Sequence, residues 1–454
     1  MGNRALYDSQ SKSLDDRGIA KLLTRKAKVA SWLKVEATLA LAQAEVGIIP
    51  QTAAKNIAEN CNIDKIDFAE MDRIMANIGH GFVPFLKVLI NQCSPEGGKY
   101  VHYGITTQNI QQTGQLYILK QVNNIFKSFI ADILTNLSAL AKEHTNTVMA
   151  GRTHGKHAIP ITFGYKVSVW ISELLHSVER LQESEKRVFS VMMGGAVGSF
   201  NSMGSLGVRV QDIVAKELKM SSMIVPSRAI QSHKEEYIMN LALLCNALHK
   251  MAEEVYYTGI EEFGELSEGF KKGTIGSSTM PQKINPKNAK GIIANSQKLY
   301  STLTSGLFSS VRLFEGDSSS YMLFDVLLEE AVELTTEVLI RAEELTRTLT
   351  VNKKRMYQNV LLSKGLDNSE YVMMCLAEKL GKDKAHTLVY DTVMQVRDGK
   401  EYLEALKENS EISAMFSVKE IEDMLKPENY VGIGNEIAHK MATEALKISK
   451  ILKE

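Results

Sequence analysis

Proline placement constrains this chain more than any other feature. No proline stands between Pro95 and Pro160, between Pro160 and Pro226, or between Pro286 and Pro427. An interior proline removes a helical donor and clashes with the preceding turn, at a cost of ~3 kcal/mol. Stretches this long without one permit very long helices. Within one of them Phe163, Val167, Trp170, Ile171, Leu174, Leu175, Val178 and Leu181 fall at helical spacing. Strand-like alternation is weak nearly everywhere. The chain therefore reads as all-α, and a helix of about 40 residues would run about 60 Å.

Punctuation divides the chain into three. Residues 1–103 read as an N-terminal domain of shorter helices. One runs from Trp32 to Val46 and stops at Gly47 and Pro50. Asn77 to Gly81 breaks the chain before an apolar helix from Pro84, and Ser94 to Gly98 reads as a loop. Residues 104–350 carry the long helices, and 351–454 form a C-terminal domain of short ones. Gly194 to Gly198 is rich in glycine but lacks the preceding strand that a dinucleotide fingerprint needs.

Composition excludes several classes. Formal net charge is zero, so there is no electrostatic footprint for nucleic acid or an anionic membrane. No apolar run approaches bilayer length, and no basic segment followed by an apolar one suggests a signal peptide. Met1-Gly2 begins like a myristoylation site, but Leu6 stands where Ser or Thr is needed. Cys61, Cys93, Cys245 and Cys375 are scattered, without metal-type spacing. They read as buried thiols in a reducing cytoplasm. No metal or organic cofactor is expected.

The densest chemistry lies between Gly273 and Asn288. Glycines give the stretch backbone freedom and two prolines stiffen its far end. Pro286 is placed to open a helix with Asn285 as N-cap. Lys283, Lys287 and Lys290 then crowd a helix N-terminus, where the macrodipole disfavours cations. That arrangement makes sense if an anion binds there; a solvated surface loop is the plainer reading.

The wording from Gly276 to Pro286, Gly-Ser-Ser-x-Met-Pro-x-Lys-x-Asn-Pro, resembles the signature loop of the fumarase/aspartase superfamily. That superfamily includes adenylosuccinate lyase, argininosuccinate lyase and carboxymuconate cycloisomerase. The resemblance implies three helical domains, the central long-helix bundle forming the core of a homotetramer, with each active site built from three subunits. It also implies β-elimination of fumarate from a succinyl-amine, a small dicarboxylate-bearing substrate.

Other blocks agree. Gly151-Arg152-Thr153-His154-Gly155 is similar to a specific family motif, whose histidine lies near the leaving group in amine-eliminating members. The resemblance makes Ser277 the base and His154 the acid, with Arg152, Thr153, Ser278, Met280, Lys283 and Asn285 around the substrate. His157 matches nothing and reads as structural. His102-Tyr103-Gly104-Ile105-Thr106-Thr107-Gln108-Asn109 looks like the family's His-x-Gly-x-Thr-Ser-x-Asp block. Thr106 or Thr107 is suited to capping a helix, or, with free N–H groups, to gripping a carboxylate. Asn109 replaces the usual Asp. Gln231, in Ser227 to His233, matches a substrate-contacting glutamine.

Departures concern the amine. His80 matches the histidine of an adenylosuccinate lyase His-Asp-Val block, but Gly81 replaces the acid. His80 either meets substrate or ends a helix. The wording Gly79-His80-x-x-Val83-Pro84 is nearer the cycloisomerase branch, which generally lacks the histidine kept here as His154. Gly316 replaces an arginine that meets the nucleotide in Glu-Arg-Asp-x-Ser, here Glu315 to Ser319. Arg4 to Tyr7 is a poor substitute for an Arg-Tyr-Ser block, and Lys290 stands where a glutamate pairs with the histidine. The expected function is a fumarate-releasing C–N lyase of the adenylosuccinate lyase type. The alternatives are a carboxymuconate-cycloisomerase-like enzyme and a non-catalytic structural relative.

Overall fold

The computed structural model describes residues 14–270, 273, 276–317, 319 and 321–453. Met1, Gly2, Arg4, Leu6, Tyr7, Thr274, Ile275 and Ser318, read above, lie outside the described residues. The fold is all-α. Five long helices carry it: Thr107–Glu143, Phe163–Val188, Ser232–Thr258, Lys287–Ser310 and Tyr321–Thr348. They fill the proline-poor stretches, and the first, at 37 residues, runs about 55 Å. In Phe163–Val188 the apolar residues named above are buried, except half-buried Leu175.

Contacts divide the chain into two compact units, and the divisions fall inside the long helices. The first comprises residues 1–129, 177–246 and 294–340. Its core is nucleated by aromatics of two early helices, α1 (Arg25–Glu45) and α2 (Val83–Gln92). Trp32 meets Phe82 and Phe85 edge-on at ring distances of 5.0 and 5.5 Å. Such pairs each contribute about 0.5–1.5 kcal/mol beyond burial. Ser94 to Gly98 is no loop: Ser94 caps a single helical turn, Pro95–Gly98.

The same unit holds a buried acid. Glu235 is 4% exposed and neither carboxyl oxygen has a hydrogen-bond partner among the described residues. Burial pushes it from 4.5 up to about 7. A carboxyl raised in the folded state favours folding when protonated, and that advantage is lost as pH rises from 4.5 through 7. Glu235→Gln is therefore expected to flatten the pH dependence of urea stability across this interval. The wild type should lose roughly 3 kcal/mol relative to the variant. Parallel curves, at one protein concentration, would contradict this.

The second unit comprises residues 130–176, 247–293 and 341–454. Its C-terminal part has a separate core around Val372, Leu376, Tyr402, Leu406 and Ile421. It also holds the main departure from an all-helical reading. Strands β1 (Val148–Thr153) and β2 (Lys156–Thr162) form an antiparallel hairpin that pairs Thr153 with Lys156. The register slips between Ala150 and Arg152. Gly151 sits at that bulge, where a Cβ would come within 2.5 Å of the Ile159 carbonyl oxygen. Other pairings are two-residue bridges. One, Ser190–Val191, does precede the glycine-rich Gly194 to Gly198, but no helix begins before Ser205.

Among the described residues no helix is long and apolar enough to cross a membrane. The cysteines are free thiols, but only Cys245 is buried; Cys61, Cys93 and Cys375 are half-buried. The first two end short helices, which leaves them partly open to solvent.

Candidate active site

The expected site residues fall into two groups, one in each unit. In the first, the loop from Val101 to Thr106 leads into the helix Thr107–Glu143. The loop turns through left-handed backbone at His102 (φ 61°) and Gly104 (φ 72°). Three side chains hold it. The Glu36 carboxylate of α1 lies 2.6 Å from His102 Nδ1. Gln43 Nε2 donates to the Tyr103 carbonyl at 2.7 Å. Asn109 Oδ1 accepts from the backbone N–H of Thr106 and of Gly195, both at 3.1 Å.

Asn109 thus reaches back from the first helical turn to the residue before it, which is half of a capping box. An aspartate would accept the same bonds. The substitution leaves Asn109 Nδ2 buried without a partner. Neither Thr106 nor Thr107 caps through its hydroxyl. Both side chains are half-buried, with no hydrogen-bond partner for either hydroxyl among the described residues.

His80 ends one helix and begins the next. Its Nδ1 accepts from the N–H of Phe82 and of Val83, each at 3.1 Å, at the start of α2. The ring is exposed, so the contact belongs to a cap at the surface. Gln231 is buried, and its amide donates to the Arg228 carbonyl at 2.8 Å and to Gln112 at 3.3 Å. In this arrangement it braces the start of helix Ser232–Thr258.

In the second unit, Thr153 and His154 stand exposed at the hairpin tip. His154 (φ 51°) and Gly155 (φ 71°) are both left-handed, the backbone of a two-residue type I′ turn. Behind the tip, the Arg152 guanidinium forks onto Glu265, at 3.0 and 2.5 Å. The Glu265 side chain is fully buried and also accepts from Asn359 Nδ2 at 2.8 Å. Arg152 is thus committed to the protein and braces the tip. His157 and Asp367 lie near one another on the same hairpin's flank. Burial lowers His157, whose neighbour Arg152 adds to the effect.

The signature loop folds on itself. Ser277 Oγ accepts from the N–H groups of Thr279 and Met280, at 3.3 and 3.1 Å. Asn285 Nδ2 donates to the Gly276 carbonyl at 2.9 Å. A Cβ at Gly276 would meet the Lys283 carbonyl at 2.4 Å, so the two ends of the loop pass in contact. Ser278, Met280 and Lys283 are exposed on its rim, while Ser277 and Asn285 are half-buried.

Two sequence expectations are corrected here. Asn285 does not cap the following helix: its Nδ2 closes the loop, and the first helical N–H groups, those of Lys287, Asn288 and Ala289, are taken by another side chain. The anion at that helix N-terminus is internal. Glu268 accepts from the backbone N–H of Lys287, Asn288 and Ala289, at 3.0, 2.9 and 2.6 Å. Burial raises the Glu268 carboxyl, while the three N–H groups and Lys290 pull the other way. Glu265 and Glu268 escaped the sequence reading, although both stand just upstream of the loop in Glu265-Leu-Ser-Glu268.

The structure thus brings Ser277, Lys283 and Asn285 into one loop, and His102, Thr106 and Thr107 into one turn. The hairpin tip and the loop are separate local structures of their unit, with no hydrogen bond between them among the described residues.

A family model described as lyase matches residues 5–299, and one described as adenylosuccinate lyase C-terminus matches residues 365–441. Adenylosuccinate lyase of Pyrococcus horikoshii is 33% identical over 93% of this chain and 94% of its own length. N-acetyl-S-(2-succino)cysteine lyase of Dickeya dadantii is 33% identical over 89% of each chain. The 3-carboxy-cis,cis-muconate lactonizing enzyme from Pseudomonas putida has a similar structure, with TM-score 0.85 and 26% identity over 96% of this chain and 98% of its own. The chain belongs to the fumarase/aspartase superfamily and is an enzyme, a lyase.

Proposed function

We propose that this lyase releases fumarate from a succinyl-amine by β-elimination, in the manner of adenylosuccinate lyase. One observation carries the reading: Ser277 Oγ sits against two backbone N–H groups in a loop that also presents Lys283 and Asn285. A serine hydroxyl is a weak base and needs its alkoxide stabilised. Two N–H donors supply that, and Lys283 is proposed to add its charge when substrate is bound.

In this mechanism Ser277 removes a proton from the carbon next to a carboxylate. The electron pair moves onto that carboxylate as an aci-dianion, then returns to form the C=C bond as the C–N bond breaks. His154 gives its proton to the departing nitrogen, a task suited to an imidazole. Preorganised donors at the dianion, Lys283 and Asn285 with the hydroxyls of Thr106 and Thr107, lower the barrier. Arg152, Thr153, His80, His102, Gln231, Ser278 and Met280 complete the proposed surroundings, Arg152 and Gln231 as braces.

The proposal extends to assembly and setting. Domains 1–103, 104–350 and 351–454 would form a cytoplasmic homotetramer, with three subunits contributing to each site.

The amine is AMP or a related one, and adenylosuccinate is expected to be a poor substrate or to be held by unusual contacts. A Cβ at Gly316 would lie 2.4 Å from Arg228 Cγ, and the φ of 124° disfavours a side chain, so an arginine there would require Arg228 and the local backbone to shift. The expected result is slow cleavage of adenylosuccinate, at least about tenfold below the best substrate in kcat/KM, or 1.4 kcal/mol. Fumarate absorbance would be followed with adenylosuccinate, its ribotide carboxamide relative, argininosuccinate, aspartate and N-acetyl-S-(2-succino)cysteine. Efficient turnover of adenylosuccinate would refute the argument from Gly316. A panel without any fumarate would favour the cycloisomerase-like alternative, which the wording around His80 and the lactonizing-enzyme likeness support.

A further inference from the structure

We propose that Glu36 is a positioning residue for His102: it holds the proton on Nδ1 and leaves Nε2 as the ring atom that faces the substrate. The inference rests on the reading above in one respect, that His102 contacts substrate.

Glu36 stands in the middle of α1, and its side chain is 1% exposed. It pairs with His102 at 2.6 Å, a charge-assisted distance, and the Cys61 thiol is a further titratable neighbour. Replacing such a buried pair by apolar residues is often neutral or stabilising, so the pair is poorly explained by stability alone. The imidazole is not simply entombed. Its side chain is 14% exposed, and Phe82 packs against it at a ring distance of 5.4 Å. With Nδ1 given to Glu36 and one face given to Phe82, the remaining polar atom is Nε2.

The surrounding turn makes the same point. His102 adopts φ 61°, a conformation that non-glycine residues seldom take without being held. Glu36, Gln43 and Asn109 hold three successive parts of one short loop, from α1 and from the following helix. Yet that loop ends in two threonine hydroxyls with no protein partner among the described residues. A segment so firmly fixed around uncommitted polar groups fits a preformed ligand contact, in which supporting residues lock the touching ones. Which nitrogen of a histidine is protonated is set by the partner of the other, and here the partner is a buried carboxylate.

The test joins spectroscopy to kinetics. Nitrogen-15 spectra of the intact enzyme at pH 8 should show the His102 proton on Nδ1. Glu36→Ala should shift it from Nδ1, and Glu36→Gln, which keeps an acceptor in place, should retain it. With whichever panel substrate yields fumarate, Glu36→Ala should raise KM about tenfold and change kcat less than about twofold, a 1.4 kcal/mol loss of binding. Glu36→Gln should restore most of that loss. In a His102→Ala background Glu36→Ala should add nothing, as expected of groups acting through one another.

Wild-type spectra with Nδ1 unprotonated would overturn the proposal, even if the alanine variant failed to fold. So would an undiminished kinetic penalty in the His102→Ala background. Spectra as expected with an unmoved KM would also overturn it, while leaving the lyase reading intact.

Discussion

Ser277→Ala is expected to lower kcat by at least ~10³-fold while leaving the circular dichroism spectrum and the assembly unchanged. The loss follows from the loop's geometry. The hydroxyl is held by two backbone N–H donors, from Thr279 and Met280. Alanine removes the proposed base and leaves those donors facing an empty position. Ser277 is half-buried in a loop, so the cost in stability should be small, within about 1 kcal/mol. Single-turnover fumarate release separates chemistry from product release. A variant that retained even a tenth of wild-type kcat would move the base to another residue.

The largest effect on stability is expected at Glu265. Glu265→Ala should destabilise the fold by about 2–4 kcal/mol in urea denaturation, because it strips a half-buried cation of its fully buried partner. Arg152 would keep its charge with neither forked bond, and Asn359 would lose an acceptor. Glu265→Gln should cost less, since it keeps an oxygen for one of these bonds. The same variant tests function. Arg152 lies two residues before His154, and the brace it makes holds the hairpin tip. A loss below about 1 kcal/mol would show that the guanidinium finds solvent or another partner easily.

Much of the fold can be read from where proline is absent. Helices from Thr107, Phe163, Lys287 and Tyr321 occupy the expected stretches because nothing interrupts their hydrogen bonding. The hairpin was not legible for physical reasons. Its strands are short, β2 contains Pro160, and the slip at Gly151 breaks the alternation that would mark β1. Its turn uses His-Gly, in place of the Asn-Gly or Asp-Gly that usually announces such a corner.

The loop around Ser277 was legible because its chemistry is packed into neighbouring positions. The groups that hold the candidate site were not, because they come from far along the chain. Glu36 lies 66 residues from His102, and Glu265 lies 113 from Arg152. Lysines at a helix start pointed to an anion, and the anion proved to be Glu268, a side chain of the protein itself. Charge pattern revealed the need without revealing who met it.

The corner at positions 154 and 155 restricts how the proposed leaving-group acid can be probed or redesigned. A residue with both backbone torsions positive tolerates asparagine, aspartate or glycine far better than a branched or bulky replacement. His154→Asn would therefore report on lost proton donation, whereas valine or isoleucine there would also unfasten the corner. Any inherited change of chemistry at this point must pass through the few side chains that the corner accepts.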